Sequence, residues 1–357
     1  MKKIIGILFG GKSTEHEISV RSARNVYKNM DKEKYQPYLI FIAKDGSWYK
    51  AEESNLFSET YIPDTFNRLS LIMDASGFYL SEFKQKTPII KPDVIFPVLH
   101  GPNGEDGSVQ GLLEVAGIAY VGCGIAGSCI SMDKEIAKKL LMKANLDVAP
   151  YVYLNLYDQN EIKYNEITAK LGTPLVVKPS RAGSSVGISK ANNIDELKNA
   201  IDYAFTYDSK VLVESYIKGR EIEVAVLGND VLLASTPGEI VTEFYDYKEK
   251  YSSESKTRLD VPAKLSKKDA QRICEAAIRA FKALECTGMG RVDFFLTPDT
   301  LIVNEINTIP GFTNISMYPK LFEYDGISQQ ELISRLIDLA IDRFKKNKSL
   351  KISYTEE

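Results

Sequence analysis

Cysteine, histidine and tryptophan are scarce in this chain of 357 residues, at 4, 2 and 1 respectively. The cysteines, Cys123, Cys129, Cys274 and Cys286, form no CxxC pair and have no nearby histidine to complete a zinc set, so they read as reduced packing residues of a cytoplasmic protein. With only His16 and His100 present, no Ser/His/Asp triad can be assembled. No segment approaches the roughly 18 consecutive apolar residues of a membrane span. The opening MKKIIGILFGGK has the charged-then-apolar look of a signal peptide. Its run breaks at Gly10 and Gly11 without a small-residue cleavage site, however, and a buried first strand explains it better. An excess of one charge is missing as well. The 45 basic and 48 acidic residues leave a net charge of −3, without the basic stripe that duplex nucleic acid requires.

What is present is ordinary globular material, 44% apolar and 26% charged. The length exceeds one typical core of roughly 100 to 200 residues, which predicts two or three domains. IIGILFGG and YQPYLIFIAKDGSWY read as strands around the helical SVRSARNVYKNM, and PDVIFPVLHG as a further buried strand. This alternation predicts an open α/β domain over residues 1–126. A second region, 127–215, runs from the helix MDKEIAKKLLMKANL through the strand PLVVKP to the strand VLVESYI. A third, 216–347, contains REIEVAVLG, a polar segment at 241–259, and two helices flanking a hairpin, with a polar tail at 348–357.

That hairpin, GMGRVDFFLTPDTLIVNEINTIPG, carries the strongest chemical signal. Alternation along a strand puts Arg291 and Asp293 on one face of the first run, and Glu305 and Asn307 on one face of the second. A three-residue loop at Pro298, Asp299 and Thr300 would pair Asp293 with Glu305 and Arg291 with Asn307. Two carboxylates and an amide suit oxygen-liganded Mg²⁺, and the arginine can neutralise phosphoryl charge. A hairpin with a merely solvated polar face is the alternative.

Three loops add to this. GILFGGKS spells a P-loop, but the residues between its glycines belong in a strand; the loop proper, GGKSTEHE, delivers Glu15 to a helix start, to favour the helix dipole or to meet a substrate ammonium. SRAGSSVG follows Lys178 and can close backbone amides over phosphate oxygens. HGPNGEDGSVQG places His100 at the carboxyl end of a strand, where ligands of open α/β sheets bind.

The blocks FGGKSTEHEISVRSA, FPVLHGPNGEDGSVQGLLEVAGIAYVG, MDKEIAKKLL, VVKPSRAGSSVGISK, FYDYKEKY, GRVDFF and NEINTIPGFTNISMYP resemble the D-alanine–D-alanine ligases of the ATP-grasp superfamily, in order over nearly the whole chain. The resemblance implies a Rossmann-like N-terminal domain followed by a two-subdomain ATP-grasp fold. It implies ATP phosphates against Lys134, Lys178, Ser184 and Ser185, with adenine and ribose near Glu214, Ile217 and Glu221. Two Mg²⁺ ions, or Mn²⁺, would sit on Asp293, Glu305 and Asn307. Glu15 would hold the ammonium of the first D-alanine, in a set with Ser184 and Tyr251 and beside His100. Arg291 and the Gly311 backbone would face the reacting carbonyl oxygen. Ser316, next to Met317, would take the second carboxylate, and Lys250 would reach the γ-phosphate when 241–259 closes as a lid.

The implied reaction makes D-alanyl-D-alanine for peptidoglycan precursors through a D-alanyl phosphate, in a cytoplasmic homodimer with small-molecule partners and neither membrane nor nucleic acid. The sequence departs from many relatives at Ala182, where they carry Glu. The lid retains Tyr251, which lactate-forming relatives lack, whereas D-serine relatives differ by only one hydroxyl. Another ATP-grasp ligase would keep the phosphate and metal residues without the Glu15, His100 and Tyr251 set.

Overall fold

The computed structural model describes residues 1–58, 68–74, 77–82, 90–241 and 258–351. The N-terminal apolar run is the middle strand of an open sheet. Lys3–Gly10 lies between parallel neighbours Tyr35–Ile42 and Val94–Val98, with Trp48–Ala51 and Ala119–Tyr120 at the edges. Covered on both faces, the middle strands are apolar throughout: Ile5, Ile7 and Phe9 enter one core cluster and Leu8 another. At Gly10 the chain turns toward the helix His16–Asn29 with φ 93, where a Cβ would meet the Ile42 carbonyl oxygen at 2.2 Å. Only glycine passes there. The P-loop spelling is therefore strand up to its second glycine, which explains why it forms no phosphate loop.

The second sheet is antiparallel, in the order Ser189–Ala191, Leu175–Pro179, Lys210–Ser215, Tyr151–Asn155. Helices Tyr164–Leu171 and Ile194–Phe205 cover one face and share a separate core with it, in which Val177, Leu197, Ile201 and Val213 are fully buried. The third sheet runs Arg258–Asp260, Gly238–Val241, Arg220–Gly228, Gly288–Leu296, Leu301–Asn307, Asp147–Val148. Helix Lys267–Ala283, capped by Ser266, backs it with Ile273, Ala277 and Phe281 against Val224, Val292 and Phe294.

Two segments cross between regions. Asp147–Val148 precedes the second sheet in the chain, yet pairs in parallel with Leu301–Asn307 of the third. The last helix, Gln329–Lys348, buries Leu332, Leu336 and Ile337 in the same cluster as Ile5, Phe9 and Val98 of the first sheet. The first and third sheets are thus held by a common core.

Candidate active site

The hairpin pairs Arg291 with Asn307 and Asp293 with Glu305, while Val292, Phe294, Val303 and Ile306 enter the core behind it. The route to that register differs from the expected three-residue loop. Leu296 pairs with Leu301, leaving four residues at the tip, and the Thr297 N–H donates to the Thr300 carbonyl at 2.9 Å. An even tip alone would put the two carboxylates on opposite faces; a bulge at Asn304, between the pairs Phe294–Val303 and Asp293–Glu305, restores them to one. Val303 and Ile306 both reach the core although three residues apart, so Asn304 and Glu305 both face away from it.

Arg291 donates from Nε and Nη2 to the two Asp293 oxygens at 2.8 and 2.7 Å, and its Nε is 3.0 Å from the buried Glu223. Asn307 donates Nδ2 to Asp293 at 2.9 Å, so its amide oxygen is an acceptor for other partners. Among the described residues no three His, Cys, Asp or Glu side chains are arranged for a metal. The donor set is therefore two carboxylates and the Asn307 amide, all oxygen and all on one face, which fits a hard divalent cation.

Facing the hairpin, the lysines form a second cluster. Lys134 donates to the Ala182 carbonyl at 2.9 Å and lies 3.3 Å from Glu305, joining the Gly/Ser loop to the hairpin. Because this bond uses the backbone of residue 182, the side chain missing at Ala182 is not needed for it. Lys178 lies 2.8 Å from Glu214 and 3.4 Å from Asn304 Oδ1. Lys138 reaches the other Glu214 oxygen at 3.0 Å, with its side chain 1% exposed. Burial pushes the Glu214 carboxyl up, but the two ammonium groups outweigh it and hold it below the usual range. Burial drives Lys138 down. Sequence reasoning missed Lys138, Asn304, Glu105 and Glu223. Lys138 does lie one helical turn after Lys134, and that spacing was the available signal.

Glu15 stands at the N-cap of His16–Asn29 but makes no capping bond with its side chain. Its buried carboxylate instead accepts at Oε1 from the Ser184 hydroxyl, across 169 residues of sequence. Ser184 and Ser185 hold φ 50 and φ 60, a left-handed turn that aims the loop at Glu15. The second oxygen, Oε2, is buried and accepts nothing among the described residues. A Cβ on Gly183 or Gly101 would lie 2.6 or 2.7 Å from it, so two glycines frame an open carboxylate oxygen.

His100, expected beside the substrate, has both ring nitrogens engaged by protein: Nδ1 with the Ile309 carbonyl at 3.1 Å and Nε2 with Ser22 Oγ at 3.2 Å. Burial lowers its pKa against the opposing pull of Glu15, which keeps the ring neutral at pH 7. Ser316 Oγ accepts from Thr313 N at 2.9 Å and lies beside Gly311. Met317 begins the helix Met317–Tyr324 with its side chain in the core. Ile217 lies half-buried between the strands Lys210–Ser215 and Arg220–Gly228, and Glu221 half-buried on the latter. Tyr251, Lys250 and most of the expected lid lie outside the described residues.

Residues 140–338 match the family model described as the D-ala D-ala ligase C-terminus, and residues 4–123 the one described as its N-terminus. The chain belongs to the D-alanine–D-alanine ligase family. It is 46% identical to a D-alanine–D-alanine ligase of Oceanobacillus iheyensis over 100% of both chains, and 44% identical to D-alanine–D-alanine ligase A of Escherichia coli over 98% of this chain and 99% of that one. A D-alanine-D-alanine ligase structure from Coxiella burnetii superposes with a TM-score of 0.86 at 37% identity, covering 97% of this chain and 96% of that one. The VanG D-Ala:D-Ser ligase of Enterococcus faecalis gives 0.85 at 40%, covering 95% and 100%. Members of the D-alanine–D-alanine ligase family with either second substrate thus share this architecture.

Proposed function

We propose that this enzyme joins two D-alanine molecules into D-alanyl-D-alanine with ATP as the driving substrate. The observation that carries the reading is the open Glu15 Oε2, buried and framed by Gly101 and Gly183, with Ser184 on its partner oxygen. A buried carboxylate oxygen without a donor is costly, and a small ammonium supplies one. The glycines admit an amino acid with little bulk.

From there the chemistry follows the faces of the cleft. Lys134 and Lys178 meet the ATP phosphates, with Ser184 and Ser185 in the loop over them, and Glu214, Ile217 and Glu221 line the base and ribose. Asp293, Glu305 and Asn307 would hold magnesium, or manganese in its place, which supplies charge neutralisation for the phosphates. The carboxylate of the first D-alanine takes the γ-phosphoryl group, which converts a poor electrophile into an acyl phosphate. The amine of the second, its carboxylate at Ser316, then displaces phosphate. Arg291, fixed by Asp293 and Glu223, and the Gly311 N–H face the oxygen that becomes negative. The segment 241–259, with Tyr251 and Lys250, would shut water from the acyl phosphate. The resemblance also supports a cytoplasmic homodimer.

A second reading, D-serine as the second substrate, draws on the similarity to the VanG ligase. ADP formation dependent on D-alanine, compared with added L-alanine, D-serine or D-lactate, separates the two. D-alanine alone is expected to sustain turnover with D-alanyl-D-alanine as product. A mixed dipeptide made faster with D-serine than D-alanyl-D-alanine at equal concentration would refute the proposal.

A further inference from the structure

The loop after His100 is wound back on itself. Gly101, Asn103 and Gly107 have φ of 74, 66 and 91, and the Gly101 carbonyl accepts from Gly104 N at 3.1 Å and Glu105 N at 3.0 Å. This winding returns the Glu105 side chain over the strand end. One of its oxygens accepts from Gly101 N at 2.8 Å and the other from Ile309 N at 3.1 Å. Ile309 is gripped on its other side by His100. A carbonyl can only accept, so the His100 nitrogen against it, Nδ1, carries the proton, and Nε2 is an acceptor for the Ser22 hydroxyl. Ser22 Oγ in turn accepts from Phe312 N at 3.3 Å.

Both backbone groups of Ile309 and the N–H of Phe312 are therefore bound to side chains of the N-terminal domain. Pro310 between them has no N–H. The remaining donor of the turn, Gly311 N–H, has no partner among the described residues. A turn pinned on either side of one open N–H is a preorganised donor, and the pinning comes from a different domain.

We propose that Glu105 is a positioning residue for the amide-forming reaction, holding Ile309 so that the Gly311 N–H points at the reacting carbonyl oxygen. The proposal rests on Gly311 being the oxyanion donor, and the test separates the two. Compared with the parent at about pH 9, where a carboxyl that burial pushes up to about 8 is ionised, Glu105→Gln offers one acceptor oxygen to two N–H donors and turns an NH₂ toward the other. Expected are backbone hydrogen exchange over residues 305–313 faster by about tenfold, kcat for ADP formation lower by about tenfold, and KM for ATP unchanged within about twofold. Glu105→Asp keeps both oxygens but shortens their reach. It is expected to shift exchange and kcat in the same direction by less, and it serves if the Gln variant does not fold. Unchanged exchange in the folded variant would show that no clamp exists and overturn the proposal whatever Gly311 does. Faster exchange with kcat within about threefold of the parent would overturn it through the assignment of Gly311. A loss confined to KM for ATP would overturn it as damage to the nucleotide cleft.

Discussion

Glu214 lies between two buried ammonium groups, and that three-charge cluster makes a prediction that a simple ion pair would not. Lys138, Lys178 and Glu214 have side chains 1%, 7% and 4% exposed, with Glu214 oxygens 3.0 and 2.8 Å from the two nitrogens. Glu214→Gln leaves two buried cations with no counter-ion, the situation in which breaking a buried pair costs about 3–5 kcal/mol. Lys138→Met removes one cation and leaves a balanced Glu214–Lys178 pair, so the expected loss is closer to that of one hydrogen bond, roughly 1–2 kcal/mol. At about 2–4 °C per kcal/mol, the thermal midpoints without nucleotide should fall by roughly 6–20 °C and 2–8 °C respectively. The double variant, with Lys178 as the one remaining cation, should lie between the singles. Thermal unfolding followed by circular dichroism measures all three. A Lys138→Met midpoint as low as that of Glu214→Gln, or a double variant less stable than both, would refute the argument that surplus positive charge governs this cluster.

Glu305→Gln keeps the volume but removes an anionic oxygen from a three-donor set; it should abolish ADP formation with unchanged far-ultraviolet circular dichroism, and near-normal turnover would defeat the ligand assignment. The Glu105 carboxyl, pushed up to about 8 by burial and then by the Glu15 charge, makes stability depend on pH. The fold favours its protonated form, so that contribution is complete below the ordinary carboxyl range and lost as pH rises through the raised value. Between about pH 5 and about pH 8 the thermal midpoint should fall more steeply in the parent than in Glu105→Gln, and equal slopes would count against the shift.

Much of this was legible from alternation. The faces of Arg291, Asp293, Glu305 and Asn307 follow from strand spacing, and the buried first strand from an apolar run that ends at two glycines. The turn was misjudged because a bulge has no strong composition cue: Asn304 is an unremarkable polar residue until the count of core positions Val303 and Ile306 shows an extra residue between them. Lys138 was hidden by its neighbours, in a helix where Lys134 is singled out for the phosphates and Lys138, Lys139 and Lys143 all read as solvent-facing charge. Burial of Lys138 is decided by Glu214, nearly eighty residues away in sequence. Glu105 was passed over for the same reason, since its partner Ile309 is a backbone group and backbone donors have no letter in a sequence. His100 was visible as special, but the two nitrogens that define its part belong to contacts with Ile309 and Ser22.

The bonds that tie Ile309 and Phe312 to Glu105, His100 and Ser22 bear on how such enzymes can be recombined. A chimaera that takes its first 120 or so residues from one relative and the rest from another would inherit the phosphate cleft and the hairpin intact. It would also transplant one half of a lock without its key, because the turn carrying Gly311 is shaped by side chains from the other parent. Crossovers between relatives should therefore be tolerated in proportion to how well the loop from His100 to Glu105 in one parent matches the turn from Ile309 to Phe312 in the other. The two segments form one heritable unit, although 204 residues separate Glu105 from Ile309.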